Sequence, residues 1–211
     1  MTQLAAQTAL VTGANRGRGR DVNQLLARGA TKVYAGARNP ETIDVNDPRV
    51  VPLQLDVTDP DSVARAAEVA GDVSLVVNNA GISLAARVLD DDTARLRREL
   101  EVNLFGPLAV TSAFPDQLAA RSGVVVNVAS ILAWIALGGS YSLPKAALGS
   151  ATDSMRLELG PWASRSSGST WATSTPTWRQ GSKRRRARPR TSSARCSTAS
   201  RAAPWRSRPM T

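Results

Sequence analysis

A tyrosine and a lysine that stand four residues apart, Tyr141 and Lys145, form a candidate proton-transfer pair. If the stretch around them is helical, their side chains lie on one face of the helix. A phenol with a pKa of about 10 is a poor acid–base catalyst at neutral pH, and a nearby ammonium favours the phenolate. The pair therefore suits proton transfer, although solvated surface pairs have the same spacing.

A glycine-rich loop, TGANRGRG, spans Thr12–Gly19. Gly13 permits a tight turn, Gly17 lets the backbone approach a pyrophosphate, and Gly19 allows close packing of the following helix. The N-terminus of that helix then faces the anion. The loop therefore predicts dinucleotide binding. An ordinary strand–helix turn is the alternative, because a glycine-rich loop alone is weakly specific.

Alternating strands and helices are predicted to position these residues, from the apolar periodicity and the glycine and proline punctuation. The predicted strands are Gln7–Thr12, Lys32–Gly36, Val50–Leu55, Ser74–Val77 and Val124–Val128. The predicted helices are Arg20–Arg28, Asp59–Val69, Asp92–Ala120, which is broken or bent near Gly106-Pro107, and Tyr141–Leu159. This order predicts an α/β fold of the Rossmann type, with a doubly wound parallel sheet that binds ligands at the carboxyl ends of its strands.

The composition changes near residue 160. The chain has 27 basic and 17 acidic residues, but from Gly160 onward it has 12 basic residues and no acidic one. Valine, isoleucine, leucine and phenylalanine are absent from that segment. Because it has little aliphatic surface to bury, we predict that it is disordered. Residues 1–159 are predicted to form the dinucleotide-binding Rossmann domain, and 160–211 a basic Ser/Arg/Trp-rich tail where C-terminal strands are missing.

The motifs resemble those of the short-chain dehydrogenase/reductase family over about residues 7–160. The loop has that family's TGxxxGxG spacing, and LDVTD, NNAG, VNLFG, VNVASILA and YSLPK follow in the family's order. The resemblance implies hydride transfer between a carbonyl and an alcohol. In this reading Asn103 bends its helix and holds a proton-relay water, and Ser130 orients the substrate. Tyr141 is the acid–base catalyst, and Lys145 also holds the nicotinamide ribose.

The resemblance also implies which residues hold the cofactor. Asp56 and Val57 match the positions that contact adenine, and the backbone of Asn78–Gly81 lines the cofactor. The implied set is Gly13, Asn15, Arg16, Gly17, Arg18, Gly19, Arg38, Asp56, Val57, Asn79, Ala80, Gly81, Tyr141 and Lys145. We expect no metal.

The end of the second strand predicts the choice of cofactor. Enzymes that select NAD usually place an acidic residue there, but Tyr34–Arg38 contains none. Arg38, together with Arg16, is suited to a 2′-phosphate. NADP is therefore favoured and NAD is the alternative. Either arginine alone is equally compatible with a solvated role.

Some positions depart from the family's pattern. Arg18 replaces an aliphatic residue that lies against the nicotinamide, and the helix after the loop is about one residue short. The gap between Ser130 and Tyr141 is about two residues short, which is expected to displace Ser130. Pro144 is unusual within YSLPK, but the first turn of a helix tolerates proline.

The tail is the largest departure, and a shifted reading frame explains it. If the last base of each codon is joined to the first two of the next, a junction entering a TCN serine encodes Phe, Leu, Ile or Val. Ser164, Ser166, Ser167 and Ser169 then become apolar, as a sixth strand requires. Thr170–Trp178 can read Val-Gly-Tyr-Val-Asp-Thr-Asp-Met, which is similar to the family's G-x-V-x-T-x-M. We hypothesise that the tail is an out-of-frame translation.

Three classes of function stay open at this point. The first is an NADP-dependent oxidoreductase with a small carbonyl or alcohol substrate, and a homo-oligomer if the fold is complete. The second is a non-catalytic nucleotide-binding remnant. The third is nucleic-acid binding through Lys183–Arg190, for which a solvated basic tail without specific binding is the preferred reading. With one cysteine, no signal-like start and no long apolar run, we expect a soluble cytoplasmic protein without membrane contact.

Overall fold

The computed structural model describes residues 6–15, 22–44, 46–89, 93–135 and 139–159. All of these belong to one compact unit. The glycine-loop residues Arg16, Gly17, Arg18 and Gly19 and the predicted tail 160–211 lie outside the described residues. In the described part of the chain, no helix combines the length and the apolar character that crossing a membrane would need.

Five parallel strands form the sheet within the described residues, in the order β3-β2-β1-β4-β5. Buried apolar runs make these strands, because both faces of such a sheet are covered. The order reverses between β1 and β4, which creates a crevice at their carboxyl ends. The strands are β1 (Thr8–Thr12), β2 (Lys32–Ala37), β3 (Val50–Gln54), β4 (Leu75–Asn78) and β5 (Val124–Asn127).

Alternate residues of the strands feed two apolar clusters, one on each face of the sheet. Leu10 and Val76 pack in the cluster that also holds Val110 and Phe114. Ala9 and Val11 pack in the cluster that holds Val22. The predicted doubly wound α/β fold is therefore confirmed.

The helices cover the sheet and end near their predicted bounds. The second one shows why: the Asp59 carboxylate caps it by accepting from the Asp61 N–H at 3.1 Å, and Pro60 suits its first turn. The helices are α1 (Val22–Ala27), α2 (Pro60–Val69), α3 (Ala94–Leu100), α4 (Gly106–Ser112), α5 (Pro115–Ala120) and α6 (Ser142–Leu159), with 3₁₀ turns at Pro40–Thr42 and Ile131–Ala133.

The predicted helix 92–120 is found as three helical stretches, and its first irregularity falls near Gly106-Pro107, where a break or a bend was expected. A π-helical segment, Glu101–Phe105, widens the chain between α3 and α4. Further on, α4 ends at Ser112, and α5 begins with Pro115, which cannot donate an N–H to continue the helix. The bend therefore lies just before Gly106-Pro107, where a π segment is typical of a functional position.

Candidate active site

The floor of the crevice is a set of hydrogen bonds between the ends of β1 and β4. The buried Thr12 hydroxyl accepts from the backbone N–H groups of Asn79 and Ala80, at 3.0 and 2.9 Å. The Asn79 amide donates back to the Thr12 carbonyl at 2.9 Å and the Gly13 carbonyl at 3.3 Å. These bonds hold the start of the glycine loop against the NNAG segment. Sequence reasoning missed Thr12, whose signal was a polar residue that ends an apolar strand.

Gly13 needs to be glycine on two grounds. Its φ is +66°, in the left-handed region, and a Cβ there would lie 2.9 Å from the Ala80 Cα. Because backbone atoms cannot move aside cheaply, a side chain at this position would separate the two loops. The missing Cβ lets the chain turn sharply at the mouth of the crevice.

A pocket of about 460 Å³ lies in this crevice. It collects residues that follow the carboxyl ends of β1, β2, β3 and β4, as the switch-point rule predicts. Those that the sequence named are Gly13, Asn15, Arg38, Asp56, Val57, Asn79, Ala80 and Gly81. Those that it did not name are Ala37, Leu55, Ile82, Leu84, Arg98 and Val102.

A carboxylate and two arginines meet at the β2–β3 side of the pocket. The Asp56 carboxylate accepts from the Thr58 N–H at 3.0 Å and from its hydroxyl at 2.8 Å. Burial raises the pKa of Asp56, but the bonds from Thr58 and the charges of Arg38 and Arg98 outweigh it, so the pKa lies below its usual value. Two exposed cations therefore stand beside one fixed anion, and this part of the pocket is left net positive.

Asn103 lies at the centre of the π segment and is fully buried. Its side-chain oxygen accepts from the Ile82 N–H at 3.0 Å, and its amide donates to the Ile82 carbonyl at 2.8 Å. It thus pairs with the backbone just after NNAG, as a strand would. The helix is π-helical at Asn103, while the helix-bending and water-holding roles of this residue stay predictions.

Lys145 is buried at the same end of the crevice, with 3% of its surface exposed. Its ammonium donates to the Val128 carbonyl at 2.8 Å and lies 5.8 Å from the centroid of the Tyr141 ring. A Cβ on Gly81 would lie 3.9 Å from this nitrogen and 2.9 Å from the Asn103 oxygen. Two of the four predicted catalytic residues, Asn103 and Lys145, therefore lie beside Gly81, and Tyr141 lies beside Lys145.

The ionisation of the pair differs from the sequence-based expectation. Burial, and after it the negative charge of Glu99, raises the pKa of Tyr141, whereas a lowering had been expected from the ammonium. Burial lowers the pKa of Lys145 to about 8. Desolvation penalises the phenolate, so the ammonium by itself does not lower this pKa, and a lowering in the cofactor-bound site stays a prediction.

Ser130 lies two residues beyond the carbonyl that Lys145 binds. Its hydroxyl accepts from the Leu132 N–H at 3.2 Å and caps the 3₁₀ turn Ile131–Ala133, which packs against α6. The shortened gap to Tyr141 includes residues 136–138, outside the described part of the chain. Pro144 falls in the first turn of α6, as expected.

The chain is similar to known proteins over most of its length. A profile of the short chain dehydrogenases matches residues 7–169. An NADPH-dependent 1-acyldihydroxyacetone phosphate reductase of Schizosaccharomyces pombe is 31% identical, over 75% of this chain and 56% of that protein. Carbonyl reductase (NADPH) 2 of Sus scrofa is 34% identical, over 72% of this chain and 66% of that protein.

A solved structure agrees with these matches. A short chain dehydrogenase from Burkholderia cenocepacia J2315, crystallised in complex with NADP, superimposes with a TM-score of 0.74 at 44% identity, covering 77% of this chain and 70% of that one. The chain belongs to the short-chain dehydrogenase/reductase family. It spans 56% of the Schizosaccharomyces pombe protein and 66% of the Sus scrofa protein.

Proposed function

We propose that this site binds NADP and interconverts a carbonyl and an alcohol by hydride transfer, with Tyr141 and Lys145 as catalytic residues. The observation that carries the proposal is the buried ammonium of Lys145, held beside the Tyr141 ring and Gly81 at the strand ends. A solvated surface pair would leave this lysine in water, because burying an ammonium is costly unless it has partners. Its burial favours the catalytic reading.

The pocket fits a dinucleotide. Gly13 supplies a turn with no side chain where the backbone must approach a phosphate. Arg38 lines the pocket and is exposed, which suits a charge-assisted bond to a 2′-phosphate. The Sus scrofa and Schizosaccharomyces pombe relatives are named as NADPH enzymes, and the Burkholderia structure holds NADP. NADP is therefore the proposed cofactor, with Arg16 a further phosphate partner outside the described residues.

The nicotinamide, when bound, supplies the hydride to a carbonyl carbon or accepts it from an alcohol. In reduction Tyr141 donates its phenolic proton to the carbonyl oxygen, and in oxidation its phenolate takes the proton back. Lys145 places a positive charge beside that phenol and would hold the ribose. Ser130 would orient the substrate oxygen once its bond to Leu132 is exchanged, and Asn103 keeps the segment after β4 in place.

Two tyrosines allow a matched test, since the chain contains no others than Tyr141 and Tyr34. NADPH binding is titrated by intrinsic fluorescence, and NADPH oxidation is followed with a panel of ketones and quinones. We expect Tyr141→Phe to keep NADPH binding and to lose turnover by on the order of 100-fold or more. Tyr34→Phe should keep both. Equal turnover of the two variants, or no NADPH binding, would overturn the proposal.

The second candidate is a chain that binds NADP without turning over. It is favoured by the 70% coverage of the Burkholderia structure. NADPH binding without oxidation by any ketone or quinone would select this reading. A cytoplasmic location and self-association of a complete fold stay predictions, which fractionation and sedimentation would test.

A further inference from the structure

Glu99 is a fully buried carboxylate on α3, with 0% of its surface exposed. Its helix neighbours Arg97 and Arg98 are exposed, so Glu99 takes the inward position that an apolar residue would normally fill. Burying a carboxylate is costly unless it is paired or hydrogen-bonded. Neither the pocket nor the proposed mechanism uses it so far.

Both carboxylate oxygens accept hydrogen bonds. The Leu84 N–H donates to Oε1 at 2.6 Å, and the Ser140 hydroxyl donates to Oε2. Both oxygens of the carboxyl group therefore have a partner inside the fold, as buried polar groups require.

These bonds join two segments of the proposed active site. Leu84 lines the pocket after β4, and Ser140 is the residue directly before Tyr141. The Ser140 N–H also donates to the Ala86 carbonyl at 2.9 Å. One turn after Glu99, Asn103 holds Ile82 of the same segment. The start of the catalytic helix is thus tied to the pocket wall through Glu99.

We propose that Glu99 is a positioning residue of this site, which anchors the segment that carries Tyr141 to the pocket wall and places a carboxylate near its phenol. The proposal rests on the proposed function. In reduction the carbonyl carbon gains the hydride and its oxygen gains the phenolic proton, so the phenol must be held in place.

The charge argument follows from what faces the phenol. Of the charged side chains that the structure describes, Glu99 reaches it from α3 and Lys145 from α6. A fixed negative charge in a partly buried site disfavours a second one, so Glu99 opposes the phenolate. Consistently, burial first and Glu99 second raise the pKa of Tyr141. The positive charge of Lys145 favours the phenolate instead, but its ammonium is already hydrogen-bonded to the Val128 carbonyl.

The test reads the phenol directly. In a Tyr34→Phe background Tyr141 is the sole tyrosine, so the absorbance of its phenolate can be followed against pH without cofactor or substrate. We expect Glu99→Gln, which keeps the shape and can keep both bonds, to lower the titration midpoint by about half a pH unit or more. Glu101→Gln is the matched control, an exposed carboxylate two residues away that should leave the midpoint unchanged.

A second measurement tests the anchoring role, and it keeps the proposal testable if the Glu99→Gln variant fails to fold. Ser140→Ala removes one anchor bond and leaves the charge in place, so hydrogen exchange at the first turn of α6 should quicken by roughly fivefold or more. Equal midpoints for Glu99→Gln and Glu101→Gln would overturn the charge role. Unchanged exchange in Ser140→Ala would overturn the anchor. Neither readout requires turnover, so a failure here is distinct from a failure of the proposed function.

Discussion

The two ends of the crevice are built in different ways. The end near β2 and β3 consists mainly of residues that directly follow strands, together with Arg98 of α3, and its charged groups Arg38, Asp56 and Arg98 are wholly or partly exposed. The end near Gly81 is built by buried polar side chains from α3, the π segment and α6. There Glu99, Asn103 and Lys145 each bind backbone or side-chain groups far away in the chain.

This difference predicts different sensitivities. The cofactor end exists as soon as the parallel sheet forms, because every parallel strand delivers its following loop to the same edge. The catalytic end also requires that α6 pack correctly against the π segment, and the chain after α6 is the compositionally distinct tail. Changes after Leu159 should therefore spare cofactor binding more than turnover.

Restoring the reading frame after about Leu159 should give the largest effect. We expect the restored protein to turn over on the order of 100-fold faster or more, because small misplacements of reacting groups cost rates of that size. Both versions are compared by NADPH oxidation against ketones and quinones, with folding checked by circular dichroism. Tyr141→Phe in the restored protein should abolish the gain. Equal turnover of the two versions would show that the proposed frameshift has no effect on activity.

Replacing Gly13 should damage the cofactor end and stability together. In Gly13→Ala the new Cβ would lie 2.9 Å from the Ala80 Cα, and the alanine would have to keep a positive φ. Together these should cost about 3 kcal/mol of unfolding free energy. Gly149→Ala is the control: that position lies within α6 and has open space around it, so it should stabilise by about 0.5–1 kcal/mol. Urea unfolding and NADPH titration measure both. A Gly13→Ala protein with unchanged stability would contradict the close approach.

Changing Arg38 should alter the cofactor end alone. We expect Arg38→Asp to weaken NADPH binding by on the order of 1–3 kcal/mol, with little loss for NADH, because a charge-assisted bond to the 2′-phosphate disappears. Arg121→Asp, an exposed arginine after α5, is the matched control. Fluorescence titrations at low salt compare the cofactors. Parallel loss of both affinities would argue against a role in selection.

Lys145 should add a small pH dependence that belongs to the catalytic end. Burial lowers its pKa to about 8 when folded, from 10.5, so between these values the folded state binds fewer protons than the unfolded one. The Lys145 contribution to stability therefore rises with pH in this window, by about 1–2 kcal/mol from pH 8 to 9.5. Urea midpoints at both pH values should show this rise in the parent but not in Lys145→Met. Lys32→Met, which changes a half-buried lysine whose pKa is raised rather than lowered, should keep it.

The motifs predicted much of the pocket because loops after parallel strands converge whatever their sequence. Gly13, Asp56 and Asn79–Gly81 were found in this way, and the structure brings them together. Thr12, Glu99 and Arg98 were missed. Thr12 ends an apolar strand and Glu99 interrupts an apolar helix face, and each was readable only as a polar residue in an unexpected place.

The sequence by itself determined the fold class, the strand order along the chain and the Tyr141–Lys145 pair, because period, punctuation and i,i+4 spacing are local properties. Only the tertiary structure decided the π segment at Asn103, the bonds of Glu99 and the burial of Lys145. The hydrogen bonds involved join residues 15 to 41 positions apart, and their energy depends on how much water the packed chain excludes. The raised pKa of Tyr141 has the same origin, since desolvation does not exist until the helices have packed.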